Sequence, residues 1–139
     1  MISSGSGPGE ILRATIFHTS RNAFREDALD AYADDALLVR DGCVSACGDF
    51  AGDRSAHPDA AVRDLRGGFL LPGLIDTHVQ PGKAADLVYV RPQPDTPLAA
   101  NLERTDDLNK ILTVLFTLAD AECIREVWMQ GTRAWSRPI

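Results

Sequence analysis

The side chains of this sequence that point most directly to metal chemistry are three histidines, His18, His57 and His78. A mononuclear hydrolytic zinc site usually takes three protein ligands and keeps a fourth position open for water. The histidines stand in ILRATIFHTS, in the polar stretch DRSAHPDA and in GLIDTHVQ, and nothing in their spacing predicts that they converge. We therefore interpret His18 as a strand-edge residue and His57 as a loop residue.

Other catalytic arrangements find little support. Asp76 and His78 are separated by one threonine, which does not make a nucleophile and base constellation. No nucleophile-elbow motif supplies a serine, and PGKAAD at 81–86 contains a lysine without the spacing of a phosphate-binding loop. The residues themselves therefore predict no catalytic group.

The three cysteines, Cys43, Cys47 and Cys123, form an odd set with no disulfide framework, which is typical of a reducing compartment. Cys43 and Cys47 are predicted to lie on one short strand, with side chains that point the same way but stand too far apart for a tight chelate. We expect buried or half-buried thiols rather than zinc ligands.

Composition narrows the class of protein. The chain has 139 residues, 45% hydrophobic and 24% charged, which is typical of one globular domain. The net charge is −6 and the basic residues are scattered, so neither nucleic acid nor a membrane surface is an expected partner. No stretch approaches the roughly 18 apolar residues of a spanning helix. These features predict a soluble, cytoplasmic protein, with residues 1–10 as a flexible lead-in.

Turn dipeptides divide the chain into strands. The DG pair at 41–42 separates two strand-like runs in ALLVRDGCVSACGDF and predicts a type I′ hairpin. The QG pair at 130–131 predicts a second hairpin in IREVWMQGTRAW. The GG pair at 67–68 is interpreted as a turn between two further strands.

One amphipathic helix is predicted over residues 106–118, with Thr105 or Asp106 positioned to cap its first turn. The preceding RPQPDTPLAANLERT carries three prolines and is interpreted as a surface excursion. With about seven or eight short strands, this helix predicts a mainly β (α+β) domain, a β-sandwich or open barrel that one helix covers. The apolar stripe of the helix consists of Leu108, Ile111, Leu112, Leu115, Phe116 and Ala119.

Two stretches that meet at Gln80 resemble distant parts of the amidohydrolase superfamily. LRGGFLLPGLIDTHVQ resembles the point where a strand, a Pro-Gly turn and an IDxHxH motif lead from a small β domain into a TIM barrel. PGKAADLVYV resembles the "PGKxADxVV" strand with which these chains return to the β domain. The resemblance implies zinc in the full-length family, with His78 at the first ligand position. Gln80 holds the second position, and its neutral amide is a poor zinc ligand.

More specifically, the chain is similar to guanine deaminases. ILTVLFTLADAECIREVWMQGTRAW resembles their ending, and ILRATIFHTSRNAFREDAL followed by DDALLVRDG resembles their start, so the resemblance covers about residues 11–136. It implies a parent reaction in which zinc-bound hydroxide attacks guanine, a barrel glutamate shuttles the proton, and xanthine and ammonia leave. A TIM barrel takes about 250 residues, whereas Gln80 alone separates Val79 from Pro81.

We therefore expect residues 11–139 to form one composite β domain, built from an N-terminal segment, 11–79, and a C-terminal segment, 80–139, with the barrel deleted. Such a chain is expected to bind no cofactor and to be no enzyme alone. Two alternatives stay open. The chain could be an interaction module, in particular a homodimer formed through the face that would contact the barrel. It could also retain metal-dependent aminohydrolase activity in an oligomer, with zinc held by His78 and groups of a second chain.

Overall fold

The computed structural model describes residues 7–19, 29–73 and 81–138. In these ranges the chain forms one seven-stranded mixed sheet that does not close, with three α-helices, and the mainly β prediction is confirmed. Within the described residues, no helix is long and apolar enough to cross a membrane. The elements in chain order are β1 (Glu10–Thr19), β2 (Leu29–Arg40), β3 (Cys43–Asp49), α1 (Phe50–Ala56), β4 (Ala61–Pro72), β5 (Leu87–Val90), α2 (Pro97–Leu102), α3 (Leu108–Leu118), β6 (Ile124–Met129) and β7 (Thr132–Ser136).

The strands are ordered β3-β2-β1-β4-β5-β6-β7 across the sheet. The β1 and β4 strands are parallel, and every other neighbouring pair is antiparallel. The pairing of β4 with β5 joins Phe69–Pro72 to Leu87–Val90. It therefore connects the part of the sheet before the predicted junction with the part after it.

The sheet curls at one end, where the segment before β5 contacts both hairpin turns. The amide of Val44 donates to the carbonyl of Lys83 at 2.8 Å, and the amide of Ala85 donates to the carbonyl of Gly42 at 2.9 Å. The carbonyl of Ala85 accepts from the amide of Gly131 at 3.0 Å. The result is an open barrel whose two halves meet at these turns.

Apolar side chains fill both faces of the curled sheet. The outer face is covered in two places, where α1 packs Phe50 near Ile11 and Leu38, and where α3 contributes Ile111 and Leu115. The inner face holds the largest cluster, formed by Leu12, Ala14, Ile16, Leu37, Val39, Val44, Leu65, Leu70, Ala85, Leu87, Tyr89 and Trp128.

Both predicted hairpins are confirmed. Asp41 and Gly42 have φ values of 53° and 80° between β2 and β3, and Gln130 and Gly131 have 48° and 73° between β6 and β7. Positive φ at both central positions is the requirement of the type I′ turn, which matches the twist of the strands it joins. Local turn chemistry therefore fixes two of the antiparallel pairs.

The turn expected at residues 67–68 is wrong. The β4 strand continues through both glycines, and its register against β1 moves from Arg13 opposite Asp64 to Thr15 opposite Phe69. The extra residues of β4 form an irregular bulge in which Gly67 takes φ 90°. The glycines are needed for this bulge and do not reverse the chain.

The structure has two features that the sequence did not predict. The LDAYADD stretch is the first half of β2, where Tyr32 pairs with Ile16 after an irregularity in register. Within the proline-rich excursion, Thr96 caps α2 with its hydroxyl oxygen and Pro97 occupies the first turn, an arrangement that favours helix initiation. The α1 and α2 helices are thus additional to the single predicted one.

The predicted long helix is confirmed as α3, with a different cap. Asp107 is the N-cap residue, and its carboxylate accepts from the amides of Asn109 at 3.0 Å and Lys110 at 3.4 Å. The hydroxyl oxygen of Thr105 accepts from the amide of Asp107 at 3.2 Å. The helix therefore begins two residues later than predicted, because a carboxylate at 107 reaches the first free amides.

Gly68 leaves the space that the ring of Tyr89 occupies. A Cβ at position 68 would overlap the Tyr89 ring, and the hydroxyl of Tyr89 donates to the carbonyl of Leu65 at 3.1 Å. We expect Gly68→Ala to lower the free energy of unfolding by roughly 1–3 kcal/mol, the usual cost of overpacking. Urea denaturation measures this change. Gly48→Ala is the matched control, because a Cβ on Gly48 of β3 would meet nothing within 4 Å. Equal stability of both variants would contradict the proposed close approach.

Candidate functional site

The region around the predicted junction is fixed to the sheet on both sides. The amide of Gly73, just after β4, donates to the carbonyl of Asp86 at 2.9 Å. The amide of Gly82 donates to the carbonyl of Val44 at 2.8 Å. His78 and Gln80, the predicted first and second positions of the metal motif, lie with Asp76 at 74–80, outside the described residues.

The other two histidines are not brought together by the described structure. His57 follows α1, where its backbone amide donates to the carbonyl of Asp53 at 3.0 Å. His18 lies in β1 opposite Asp30, and its side chain is outside the described set. Among the described side chains, no group of three or more histidines, cysteines or carboxylates is arranged to hold a metal ion. The donor set that the structure describes does not fit a mononuclear zinc centre.

The prediction that Cys43 and Cys47 point the same way is wrong. Val44 and Cys47 both belong to the inner-face cluster, and the register of β3 against β2 shifts between these two positions. The shift leaves one extra residue, Ser45, in β3, so the usual alternation is broken. Cys43 and Cys47 therefore lie on opposite faces of the sheet.

An acidic cluster occupies the end of the inner face beside α1. Asp35 of β2 pairs with Asp49 of β3, and the next carboxylate, Asp53, belongs to α1. The carboxylate of Asp49 accepts from the amide of Gly52 at 2.9 Å and caps α1. The Oδ2 atoms of Asp35 and Asp53 are buried and, within the described part of the chain, have no hydrogen-bond partner.

Burial dominates the protonation chemistry of this cluster. Asp35 is only 2% exposed, and burial raises its pKa to about 6, with Asp53 and Asp49 adding to the rise and the Ala36 amide opposing it. Burial also raises the pKa of Asp53. The Cys47 thiol follows the same rule, since burial and then Asp35 raise its pKa to about 12. Asp35 can hold a proton close to neutral pH, but a carboxyl group this deeply buried is not accessible to a substrate.

A second buried carboxylate, Glu126 of β6, is fully partnered. Its Oε1 accepts from guanidinium groups of Arg63 on β4 and Arg133 on β7, the latter at 3.4 Å. Its Oε2 accepts from Nε1 of Trp128 at 2.9 Å. The guanidinium of Arg63 also lies 5.8 Å from the centroid of the Trp128 ring. This cluster joins β4 to β6 and β7, and its charge-assisted hydrogen bonds serve that structural role.

Sequence reasoning missed both carboxylates. Glu126 and Trp128 are two apart in a short strand, so alternation places both on one face, and an acid in that position required a basic partner. That signal was available in IREVWM. The burial of Asp35 carried no such signal, because it depends on the packing of α1, which the sequence did not predict.

Comparisons with known proteins identify similar sequences for part of the chain. No protein-family model matches it. A probable guanine deaminase of Deinococcus radiodurans is 50% identical over 76 residues, which cover 50% of this chain and 17% of the relative. Two solved structures are also similar. Guanine deaminase from E. coli has 28% identity and a TM-score of 0.42, covering 46% of this chain and 16% of that one. Guanine deaminase from Bradyrhizobium japonicum has 24% identity and a TM-score of 0.41, covering 45% and 15%.

The chain spans about a sixth of the length of these relatives. The alignment relates half of this mainly β chain to one part of a longer protein. That relative is a probable guanine deaminase, and the present chain is guanine deaminase-like in sequence.

The buried carboxylate of Asp35, whose Oδ2 has no hydrogen-bond partner in the described part of the chain, predicts a specific dependence of stability on pH. Because the folded-state pKa is raised from 3.8 to about 6, the folded chain holds this proton more tightly, and stability falls as pH rises between these values. We expect Asp35→Asn to flatten this fall and to raise the free energy of unfolding at pH 7.5 by about 1–3 kcal/mol. Urea denaturation between roughly pH 4 and pH 7.5 measures both effects.

Asp34→Asn is the matched control for this prediction. Asp34 is exposed and bonds to Arg13 at 2.7 Å, and this bond lowers the pKa of its carboxyl group. The stabilisation from Asp34 is therefore present at neutral pH and lost on acidification, so its removal cannot increase stability at pH 7.5. A loss of stability in Asp35→Asn at that pH would contradict the interpretation.

Proposed function

We propose that this chain is the non-catalytic β domain of a guanine deaminase-like amidohydrolase whose barrel is deleted between Val79 and Pro81. The parent reaction is the zinc-dependent hydrolytic deamination of guanine to xanthine and ammonia. The direct pairing of β4 with β5 carries the proposal, because these strands belong to sequence segments that resemble the two ends of the enzyme.

The geometry of the junction supports a direct connection. The amide of Gly73 bonds to the carbonyl of Asp86, and the six residues from Pro81 to Asp86, with five Cα–Cα steps between the first and the last, span at most about 18 Å. The connection at 74–80 has seven residues, which reach farther than that when extended. A loop of this length costs little entropy to close. The two segments can therefore join in one sheet without a domain between them.

The shared core supports a domain that folds on its own. The inner-face cluster takes Leu12 and Leu37 from the N-terminal segment, and Leu87, Tyr89 and Trp128 from the C-terminal one. All five are at most 4% exposed. A core made by both segments is what independent folding requires.

The histidine content supports the absence of turnover. The chain has three histidines, and the two that precede the junction motif lie on β1 and after α1. A zinc hydrolase of the implied kind needs three protein ligands and a general base close to one another. We therefore derive no catalytic step for this chain. We also propose a cytoplasmic location, with no nucleic acid or membrane partner, which the absence of disulfides and the acidic net charge support.

The proposal predicts a zinc-free, inactive protein. Elemental analysis of the purified chain is expected to find no stoichiometric zinc, and ultraviolet absorbance to find no loss of guanine, beside the Deinococcus radiodurans relative as a positive control. Gln80→His is the decisive variant, because it restores the HxH pair that the resemblance implies. We expect this variant to stay inactive, since the remaining ligands are missing. Zinc binding with guanine turnover in either protein would overturn the proposal and favour residual activity in an oligomer.

A second candidate function is self-association, which one observation favours. The β7 strand lies at the edge of the sheet, and all five of its residues are exposed. Trp135 on β7 is 43% exposed and Met129, just before the turn, is 61% exposed. An edge strand with exposed apolar side chains is a template for pairing with another strand. We propose that a second copy of the chain pairs with β7 in antiparallel fashion.

Light scattering over a range of concentrations tests this dimer. We expect a dimer in the unmodified chain and a weaker one in Trp135→Lys, because a charge replaces the apolar contact at the edge. Phe116→Lys is the control, since Phe116 is 75% exposed and belongs to α3 instead of β7. A monomer at every concentration, or an equal loss in Phe116→Lys, would rule out the β7 interface.

A further inference from the structure

A pocket of about 450 Å³ lies between α2 and the sheet, where β5 ends. Its volume is within the range of small-molecule sites, which is about 300–1,000 Å³. Ten residues line it: Gly67, Phe69, Arg91, Pro92, Gln93, Pro94, Ala99, Leu102, Glu103 and Arg125. None of them belongs to the acidic cluster, to the Glu126 cluster or to the junction.

Irregular backbone on both sides shapes this pocket. On β4, the bulge with Gly67 at φ 90° precedes Phe69. On β6, the register against β5 moves from Tyr89 opposite Glu126 to Val90 opposite Ile124, which leaves Arg125 without a partner residue. Such bulges redirect side chains and are over-represented beside functional sites. Two of them flank the same opening.

Two arginines, Arg91 and Arg125, line the pocket. A Cβ on Gly67 would lie 3.6 Å from Nη2 of Arg91, so this guanidinium stands over the bulge of β4. Nη1 of Arg125 donates to the carbonyl of Pro138 at 3.1 Å, while its Nε is buried and unbonded in the described structure. The ion pairs found among the described residues include neither arginine. The side chain of Arg91 also hydrogen-bonds the hydroxyl of Tyr89. Two arginines thus line one opening of a protein with net charge −6.

The apolar walls of the pocket indicate that its ligand also has an apolar part. Phe69 is half-buried on the sheet side, and Leu102 and Ala99 are half-buried on the α2 side. A lone inorganic ion would leave this apolar surface in contact with water, whereas an apolar group would cover it. Gln93 is a further polar residue of the lining.

We propose that this pocket binds a small organic anion, with a carboxylate or phosphate held by Arg91 and Arg125 and an apolar body held between Phe69 and Leu102. Arginine matches these anions because its planar guanidinium donates two parallel hydrogen bonds. Glu103, the carboxylate among the lining residues, is exposed at the rim, where it disfavours ligands with further negative charge.

Titration by nuclear magnetic resonance tests the site with benzoate, phenyl phosphate and inorganic phosphate as probes. We expect benzoate or phenyl phosphate to shift the amide signals of residues 67–69, Arg91 and Gln93, and inorganic phosphate to bind at least tenfold more weakly because it lacks the apolar body. The stronger of the two organic probes identifies the head group. Arg91→Met and Arg125→Met are each expected to weaken binding at least tenfold.

Two further variants keep the test decisive. Arg104→Met removes the same charge from an exposed arginine outside the pocket and is expected to leave affinity unchanged. Ala99→Glu adds a negative charge to the α2 wall without altering either arginine, and is expected to abolish binding even if one arginine variant fails to fold. The proposal is overturned if neither organic probe binds at about 10 mM, the weak end of specific recognition. Equal weakening by Arg104→Met would also overturn it, because binding would then reflect general charge.

Discussion

The pairing of β4 with β5 is the contact on which the rest of the fold depends. Four strands lie on the β4 side of it and three on the β5 side, and its four residue pairs are the strand ladder that joins the two parts. Neither part has a complete inner core, because Leu12 and Leu37 pack in the same cluster as Leu87 and Trp128. Loss of this ladder would expose apolar surface on both sides, so the domain should unfold as one unit.

The two buried carboxylates show how the same chemical group can stabilise or destabilise one domain. Glu126 accepts from two guanidinium groups and an indole, and its charge is balanced where β4, β6 and β7 approach one another. Asp35 is buried more deeply, and its nearest charged neighbours are carboxylates. A buried charge that is not balanced by an opposite charge is costly. The burial of Asp35 near α1 therefore has an energetic cost that the burial of Glu126 does not have.

Features set by neighbouring residues could be predicted from the sequence, and features set by a distant strand could not. The turns at 41–42 and 130–131 follow from the need for positive φ, and α3 follows from its apolar spacing. The bulge at Ser45 depends on the register with β2, which is why Cys43 and Cys47 were assigned to one face. LDAYADD has few strand-forming residues, and β2 extends through it because β1 lies beside it.

The same distinction applies to the candidate sites. His78 and Gln80 were recognised from a motif, yet they lie outside the described residues, so their assignment remains a prediction. The pocket beside α2 had no motif at all. Arg91 and Arg125 are far apart in the chain, and two bulges bring them to one opening. Hydrophobic periodicity predicts regular strands and helices, so it cannot locate a site that is formed by irregular backbone.

The contact between the two hairpin turns has a consequence for the order of folding. A Cβ on Gly131 would lie 2.7 Å from the Cα of Gly42, so the turns meet backbone to backbone. Each hairpin is local and can form early, whereas their contact joins distant parts of the chain and must wait until the intervening strands are in register. Ala85 bonds to both turns and becomes fully protected only at that stage. The contact between Gly42 and Gly131 therefore forms late in folding. Hydrogen exchange at the amide of Ala85 would report when this last step occurs.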